Sequence, residues 1–391
     1  MNLLTILAAV AAAILAVPAL IFFVECFASV FLRAGKEVAR PAGVSLRVMV
    51  PAHDEEQGIG ATLAEVQSQL APDDRILVVA DNCSDGTAAI ARAAGAEVIE
   101  RLDAERRGKG YALAYGIDHL SPSPPDVLIV IDADCRLIPG TIDALVRSAV
   151  ETHKPVQADY VLQPSERSPL SMISALAFLV RNRVRPRGLL RLNQPCHLDG
   201  AGMAFPWSVV RTAPGLGASI VEDLTMGIEL ALLGHEPVLC IDAGVRSDLP
   251  STRSAAMQQR RRWEHGQMAT LVQYGPRLIR DGVLRGRPGL IAMGADLMVP
   301  PLALLVGLLL LVLGAAGVLV LVGGSTLPAW IAGVALGLVG LGVTIGWARY
   351  GRTEVPFRYL LLVPLYVAWK VPLYFSFLIG RREKRWRRTD R

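Results

Sequence analysis

Three stretches of this chain are too long and too apolar for an ordinary globular core. Residues 3–24, 297–322 and 328–348 carry almost no charged side chains. Each matches the ~20 residues a helix needs to cross bilayer hydrocarbon. In lipid the backbone polar groups must be satisfied within the segment, so these runs read as helices. The whole chain is 52% hydrophobic and 19% charged, a balance that points to a membrane protein carrying a soluble domain. A cleaved signal peptide is the other reading of residues 3–24. It fits poorly, because no basic residues precede the run and it stays apolar beyond Glu25 to Leu32.

Basic residues set the orientation. Arg33, Lys36 and Arg40 follow the first segment, and Arg349 and Arg352 follow the third. The positive-inside rule then places the start of the chain outside and residues 33 onward in the cytoplasm. Residues 356–380 are apolar and aromatic but contain Arg358, Pro364, Lys370 and Pro372, and the basic run 381–388 follows. Crossing would put that tail outside, so this stretch is expected to be interfacial or re-entrant. The net charge of +5 is concentrated in residues 253–287 and 381–391, beside apolar segments. That placement suits anionic headgroups and gives no reason to invoke nucleic acid. Cys26, Cys83, Cys135, Cys196 and Cys240 form no C-x-x-C pair, so neither a zinc site nor a disulfide framework is expected, and the soluble part reads as cytosolic.

From residue 46 the pattern changes to short apolar runs alternating with helical stretches. Strands are predicted at 46–52, 75–80, 96–100 and 126–131, and helices at 57–70, 87–94 and 109–120. This β-α-β-α-β-α-β succession specifies an α/β fold with a mostly parallel, doubly wound sheet. Handed crossovers put the strand ends on one edge, where open α/β sheets bind ligands. The expected organisation is an N-terminal transmembrane helix (1–32), a cytoplasmic α/β domain (45–252) and an amphipathic interfacial segment (253–292). Two transmembrane helices (293–350) and an interfacial or re-entrant end (351–391) follow.

Three segments fall at those strand ends: Pro51–Glu56, Asp81–Thr87 and Asp132–Asp134. Asp132-Ala133-Asp134 follows the run Val127–Ile131. Two carboxylates so close repel unless something cationic holds them. A divalent ion on a phosphate-bearing ligand would do so, although an isolated D-x-D also reads as a solvated acidic turn. Asp81-Asn82-Cys83-Ser84-Asp85-Gly86-Thr87 joins a strand to a helix. There Asp81 can accept from a donor edge such as an imide N–H, and Ser84 and Asp85 can cap the helix. Arg107-Gly108-Lys109-Gly110 opens a helix with a lysine beside backbone N–H groups, which suits a diphosphate. Gly200-Ala201-Gly202 brings backbone close to a ligand or a packed helix. Glu222-Asp223 begins a helix, either as ordinary dipole compensation or with Asp223 as a general base. Gln259-Arg260-Arg261-Arg262-Trp263 combines guanidinium forks for phosphate with an indole face for a sugar or base. Its other reading is a basic interfacial helix with a tryptophan anchor.

The ordered set PAHDEE, DNCSDGT, RGKGYAL, DAD, ED and QRRRW resembles the membrane-bound family 2 glycosyltransferases of GT-A fold. That branch holds the cellulose, chitin and hyaluronan synthases and their smaller bacterial exopolysaccharide relatives. The resemblance implies that Pro51, Ala52, His53 and Glu55 lie at the base and ribose of a nucleotide-sugar, with UDP as its nucleotide. It makes Asp81 the reader of the uracil edge and Lys109 a diphosphate ligand. Asp132 would bind nucleotide and metal, Asp134 would bind the metal, Mg²⁺ or Mn²⁺, and Asp223 would be the catalytic base. Glu222, Gln259, Arg262 and Trp263 would serve the acceptor and diphosphate. Two positions depart from the pattern: Asp54 stands where relatives often carry Asn, and Val221 where the synthases carry Thr.

The implied activity is inverting transfer to a lipid-linked or surface glycan at the cytoplasmic membrane face, here a bacterial-type inner membrane. A chitooligosaccharide-type synthase and a ceramide-type glycolipid transferase carry similar motifs. A non-catalytic nucleotide-sugar-binding scaffold is the remaining reading, and retention of both Asp223 and the D-x-D argues against it.

Overall fold

The computed structural model describes residues 3–32, 39–164, 168–213, 222–249 and 253–378. These fall into two compact units. One lies within Met1–Leu32, Pro164–Gln194 and Ser251–Glu383, the other within Arg33–Gln163 and Pro195–Pro250. Arg33, Lys36, Val221 and the basic run 381–388 lie outside the described residues.

The chain begins with helix α1 (Leu3–Ser29). The α/β unit then starts with β1 (Leu46–Ala52), α2 (Ile59–Gln67), β2 (Arg75–Asp81) and α3 (Thr87–Ala93). It continues with β3 (Glu97–Arg101), α4 (Lys109–Leu120) and β4 (Val127–Val130), the succession predicted from the sequence. β5 (Arg136–Leu137), α5 (Thr141–Thr152) and β6 (Val156–Gln163) follow. After an excursion into the other unit, β7 (Met203–Pro206) and β8 (Val238–Asp248) complete an eight-stranded sheet of order β3-β2-β1-β4-β7-β6-β8-β5.

β4 reads as an unbroken apolar run, and β1 as one broken only by Arg47, because both faces of these strands are covered. Val48 pairs in parallel with Ile76 on one side and Ile129 on the other. Met49, Leu77, Leu128, Val130 and Phe205 pack with Leu113 of α4 in one buried cluster. The parallel half runs from β1 through β2 to β3, and the chain then returns to place β4 on the other side of β1. The strand order therefore reverses between β1 and β4, the position where open α/β sheets form a ligand crevice. Beyond β4 the sheet is mixed: β7 is antiparallel to both β4 and β6, and β5 to β8.

The other unit is helical. It includes α6 (Pro169–Leu179), capped by Ser168, with Pro169 in its first turn. This helix passes through a π-helical turn, Val180–Val184, into α7 (Arg185–Arg191). Two short elements of the α/β unit, α8 (Trp207–Val210) and α9 (Glu222–Leu233), precede the return. The amphipathic stretch 253–290 divides into α10 (Arg253–Leu284) and α11 (Pro288–Leu297). The break contains Gly286 at φ +63°, a left-handed turn that suits glycine. The second apolar run starts five residues later than its composition suggests, as α12 (Leu302–Leu321). Pro300 and Pro301 intervene, and neither has an N–H to continue the ladder. α13 (Leu327–Gly346) and α14 (Val363–Leu378) follow, the latter after a 3₁₀ turn over Phe357–Leu362.

Among the described residues three helical spans are long and apolar enough to cross a membrane: Leu3–Ser29, Leu302–Leu321 and Leu327–Gly351. Phe22 and Cys26 of α1 pack in one buried cluster with Ala335 and Val339 of α13 and with Leu305 of α12. Residues 363–378 are not among those spans. A three-residue ionic cluster is buried in this unit, besides the Glu264–Lys370 pair. Arg185 donates from Nε to Glu25 Oε2 at 2.6 Å and from an Nη to Asp296 Oδ1 at 2.5 Å.

Candidate active site

The carboxyl ends of β1, β2 and β4 bring the PAHDEE, DNCSDGT and DAD motifs to one edge of the sheet. Pro51 and Ala52 are the last residues of β1 and are buried. His53 follows, and its Nδ1 lies 2.7 Å from the carbonyl oxygen of Asp81, tying the ends of β1 and β2 together. The Glu55 N–H donates to Thr87 Oγ1 at 2.7 Å, which fixes the same loop to the start of α3. Asp54 has a positive φ of 52°. Its Oδ1 accepts from the Ser84 N–H at 2.6 Å, and its carboxylate also faces the Ser84 hydroxyl. The carboxylate at the departing position is thus used to join the two loops.

Asp81 is almost fully buried. Its Oδ1 accepts from Arg101 at 2.7 Å and from Asn82 Nδ2 at 2.9 Å, while Oδ2 receives no hydrogen bond among the described residues. Arg101, at the end of β3, is a site residue that local sequence reading misses. Its guanidinium lies over the Tyr111 ring and also binds Asp103. Only the pairing of β2 with β3, which sets Asp81 opposite Arg101, reveals it.

Asp132 and Asp134 leave β4 at the strand-order reversal. Lys109, the first residue of α4, forms an ion pair with Asp132 Oδ1 and donates to the Gly200 carbonyl at 2.7 Å. Gly108 before it has φ +130°, a conformation that favours glycine. Burial disfavours the Lys109 ammonium, but the Asp132, Asp223 and Glu222 carboxylates outweigh it and hold its pKa above the ordinary lysine range. Burial also lifts the Asp132 carboxyl above its ordinary value, against the pull of Lys109 and with the Asp134 charge adding to the rise. Asp134 Oδ2 accepts from the Ser247 hydroxyl at 2.8 Å, a partner from β8. Asp132, Asp134 and Cys135 can each aim one ligand atom into a space where all three lie within 4.8 Å of one another. Two carboxylate oxygens are hard donors that suit Mg²⁺ or Mn²⁺, so the side chains present fit such an ion.

Asp223 opens α9, with Oδ1 accepting from the Leu224 N–H at 2.7 Å. A Cβ built at Gly200 would overlap Asp223 Oδ2 and lie 3.6 Å from Lys109 Nζ. Gly200, at φ +97°, leaves the space beside its Cα to the Asp223 carboxylate, with Lys109 Nζ close by. Glu222 is the preceding residue of the helix. Of the predicted residues, the structure brings together Lys109, Asp132, Asp134 and Asp223 around Gly200. Gln259, Arg262 and Trp263 belong to the other unit, on α10, where the Trp263 ring packs on Phe178 with centroids 4.9 Å apart.

Residues 41–266, more than half of the chain, match the model of the family described as glycosyltransferase like family 2. The chain belongs to that family. This glycosyltransferase is 32% identical over 111 residues to a 4,4'-diaponeurosporenoate glycosyltransferase of Staphylococcus aureus (strain bovine RF122 / ET3-1), a match covering 28% of this chain and 27% of the relative. It is 30% identical over 106 residues to the protein of the same name from strain MRSA252, covering 26% and 27% respectively. The matches thus span only about a quarter of those curated relatives' length. Among solved structures it is similar to a mannosyltransferase of Pyrobaculum calidifontis in complex with GDP-Man and Mn²⁺. That likeness has a TM-score of 0.57 and 20% identity, and covers 94% of this chain and 100% of that one. At this identity the likeness establishes the fold: the glycosyltransferase has a GT-A domain flanked by membrane helices.

Proposed function

We propose that this glycosyltransferase moves a sugar from a nucleotide-sugar, with UDP as its nucleotide, to a lipid-linked or surface glycan acceptor, with inversion at the anomeric carbon. The observation that carries the reading is the position of Lys109. It is paired with Asp132 at the strand-order reversal and held by the Gly200 carbonyl, whose Cα abuts Asp223. A cation for a leaving diphosphate and a carboxylate for an attacking hydroxyl thus lie beside the same glycine.

In this reading Pro51, Ala52, His53 and Glu55 form the wall for the base and ribose. Asp81, with Oδ1 held by Arg101 and Asn82, offers Oδ2 to an imide N–H. Asp132 and Asp134 are the residues that would hold Mg²⁺ or Mn²⁺, which when bound neutralises charge on the diphosphate. Lys109 donates to the diphosphate oxygens as negative charge develops there. Asp223 accepts the proton of the acceptor hydroxyl as its oxygen attacks the anomeric carbon. The carbon–oxygen bond to the diphosphate breaks on the opposite face, so an α-linked donor gives a β-glycoside. This single displacement needs no second carboxylate as nucleophile. Glu222, Gln259, Arg262 and Trp263 serve the acceptor and the departing diphosphate.

Membrane anchoring supports an acceptor presented at the bilayer, with the catalytic domain on the cytoplasmic face of a bacterial-type inner membrane. Residues 1–32, 45–252, 253–292, 293–350 and 351–391 are its working segments in that arrangement. Relatives named for glycosylating 4,4'-diaponeurosporenoate favour single addition over polymerisation. The test is nucleotide release by the full chain in lipid, over a panel of UDP- and GDP-sugars, with Mn²⁺ or with chelator, and mass analysis of the lipid extract. Metal-dependent UDP release with one sugar added to a lipid supports the proposal. A ladder of products makes the enzyme a short-chain synthase, and release from GDP-sugars alone overturns the uridine assignment.

A further inference from the structure

Gln157 is a side chain that no motif in the sequence singles out, yet it is among the most enclosed polar groups of the α/β unit, with 1% of its surface exposed. It lies on β6, and both ends of its amide are engaged. Oε1 accepts from the Asp199 N–H at 2.8 Å. Nε2 donates to the Ala201 carbonyl at 2.8 Å and to the Ala158 carbonyl at 3.0 Å. The amide orientation is fixed by these partners, because an N–H can only face the oxygen and a carbonyl only the NH₂. Gln157 thus grips the backbone on either side of Gly200 without touching Gly200 itself.

What it grips is the turn at the centre of the site. The Gly200 carbonyl takes the 2.7 Å hydrogen bond of Lys109, and the Gly200 Cα has no room for a methyl because Asp223 occupies that space. The next residue is pinned as well. The Gly202 N–H donates to the Val130 carbonyl at 3.1 Å and the Ala158 N–H to the Gly202 carbonyl at 2.7 Å. A Cβ on Gly202 would press on Val245 and Ala158. Gly202 therefore ties the end of this turn to β4 and β6, and the Gln157 amide satisfies the N–H of Asp199 and the carbonyl of Ala201 together.

We infer that Gln157 is a positioning residue for transfer: its amide holds the 199–201 turn so that Lys109 and Asp223, which both pack on Gly200, keep the relative positions that the displacement requires. This rests on Asp223 as the base. Shifts near 1 Å at a reacting centre cost about a hundredfold in rate. Asp132 holds Lys109 independently of the turn, so loosening the turn acts on turnover more than on donor binding.

The experiment compares kcat and donor KM for the full chain in lipid carrying Gln157→Met, which keeps the length but neither hydrogen bond, or Gln157→Glu, which keeps only the acceptor for Asp199. Leu145→Ala, a fully buried α5 position outside the site, serves as a stability control. The expected result is a kcat lowered about 10- to 100-fold with donor KM within about threefold of the parent, while Leu145→Ala keeps its kcat despite a lowered thermal midpoint. A kcat near the parent value in either folded Gln157 variant overturns the inference. So does a kcat loss that Leu145→Ala reproduces at equal loss of stability. If neither Gln157 variant folds, the residue is a folding determinant and the assignment also falls. Asp223→Asn, measured alongside, separates the two levels: activity surviving there refutes the base, whereas an inactive Asp223→Asn with unaffected Gln157 variants refutes only the clamp.

Discussion

Gly200 and Asp223 are in such close apposition that the carboxylate fills the volume where any other residue at position 200 would place its Cβ. Gly200→Ala is therefore expected to push the carboxylate or the turn aside. It also places alanine at φ +97°, where a side chain is strained. Turnover should fall about 10- to 100-fold, while the circular dichroism of the purified chain stays that of the parent. An alanine variant of unchanged kcat would mean that Asp223 swings away from Gly200 during catalysis.

Asp223→Asn removes the proposed proton acceptor but keeps shape and volume. A positioned general base contributes about 10²–10⁴ in rate, so kcat is expected to fall by that factor. Titration with UDP alone should give a dissociation constant within about threefold of the parent. A comparable loss of nucleotide affinity would assign Asp223 to the donor.

Lys109 and Asp132 are expected to behave as one unit toward the donor. Lys109→Met leaves the Asp132 and Asp223 carboxylates without the shared cation, and Asp132→Asn leaves the ammonium without its main partner. Each change should weaken nucleotide binding at least about tenfold. The double variant should lose less than the product of the two losses, because residues in contact couple. Strict additivity in nucleotide titrations would show that the pair does not share one ligand. Chelator should weaken nucleotide binding by the parent and change little in an Asp132→Asn/Asp134→Asn variant.

The parallel half of the fold was legible because its strands are short, mostly apolar runs with turn residues at their ends, and that local signal also placed Pro51–Glu56, Asp81 and Asp132 at one edge. The remainder depends on partners far apart in the chain. Ser247 reaches Asp134 across 113 positions, and Lys109 reaches Gly200 across 91. No spacing rule links such pairs. Gln157 sits in a short strand whose neighbours carry the apolar pattern, so its burial leaves no local signature. The two proline-marked boundaries, before α11 and α12, were readable in principle, but hydropathy alone extends the second span through Pro300 and Pro301. Asp54 appeared only as a departure from a pattern until Ser84 was found on its carboxylate.

The helical unit carries its own test in Glu25, Arg185 and Asp296. Arg185 binds both acids, and their side chains are at most 12% exposed. A Cβ at Gly188, one turn beyond Arg185, would overlap the Glu25 carbonyl, so α7 and α1 also touch along their backbones. Taking one charge from a buried group leaves the others uncompensated at a cost of about 3–5 kcal/mol, whereas replacing the whole group with apolar residues of similar volume is often neutral or stabilising. Arg185→Met alone is expected to lower the thermal midpoint of the purified chain markedly, because two carboxylates then face each other without a cation. The triple variant Glu25→Leu, Arg185→Met, Asp296→Leu should recover most of that loss. If Arg185→Met is as stable as the parent, the acids are neutral or hydrated and the cluster does not hold α7 to α1. If the triple variant is no better than the single one, the cluster fixes the helix register through hydrogen bonds that apolar packing cannot replace.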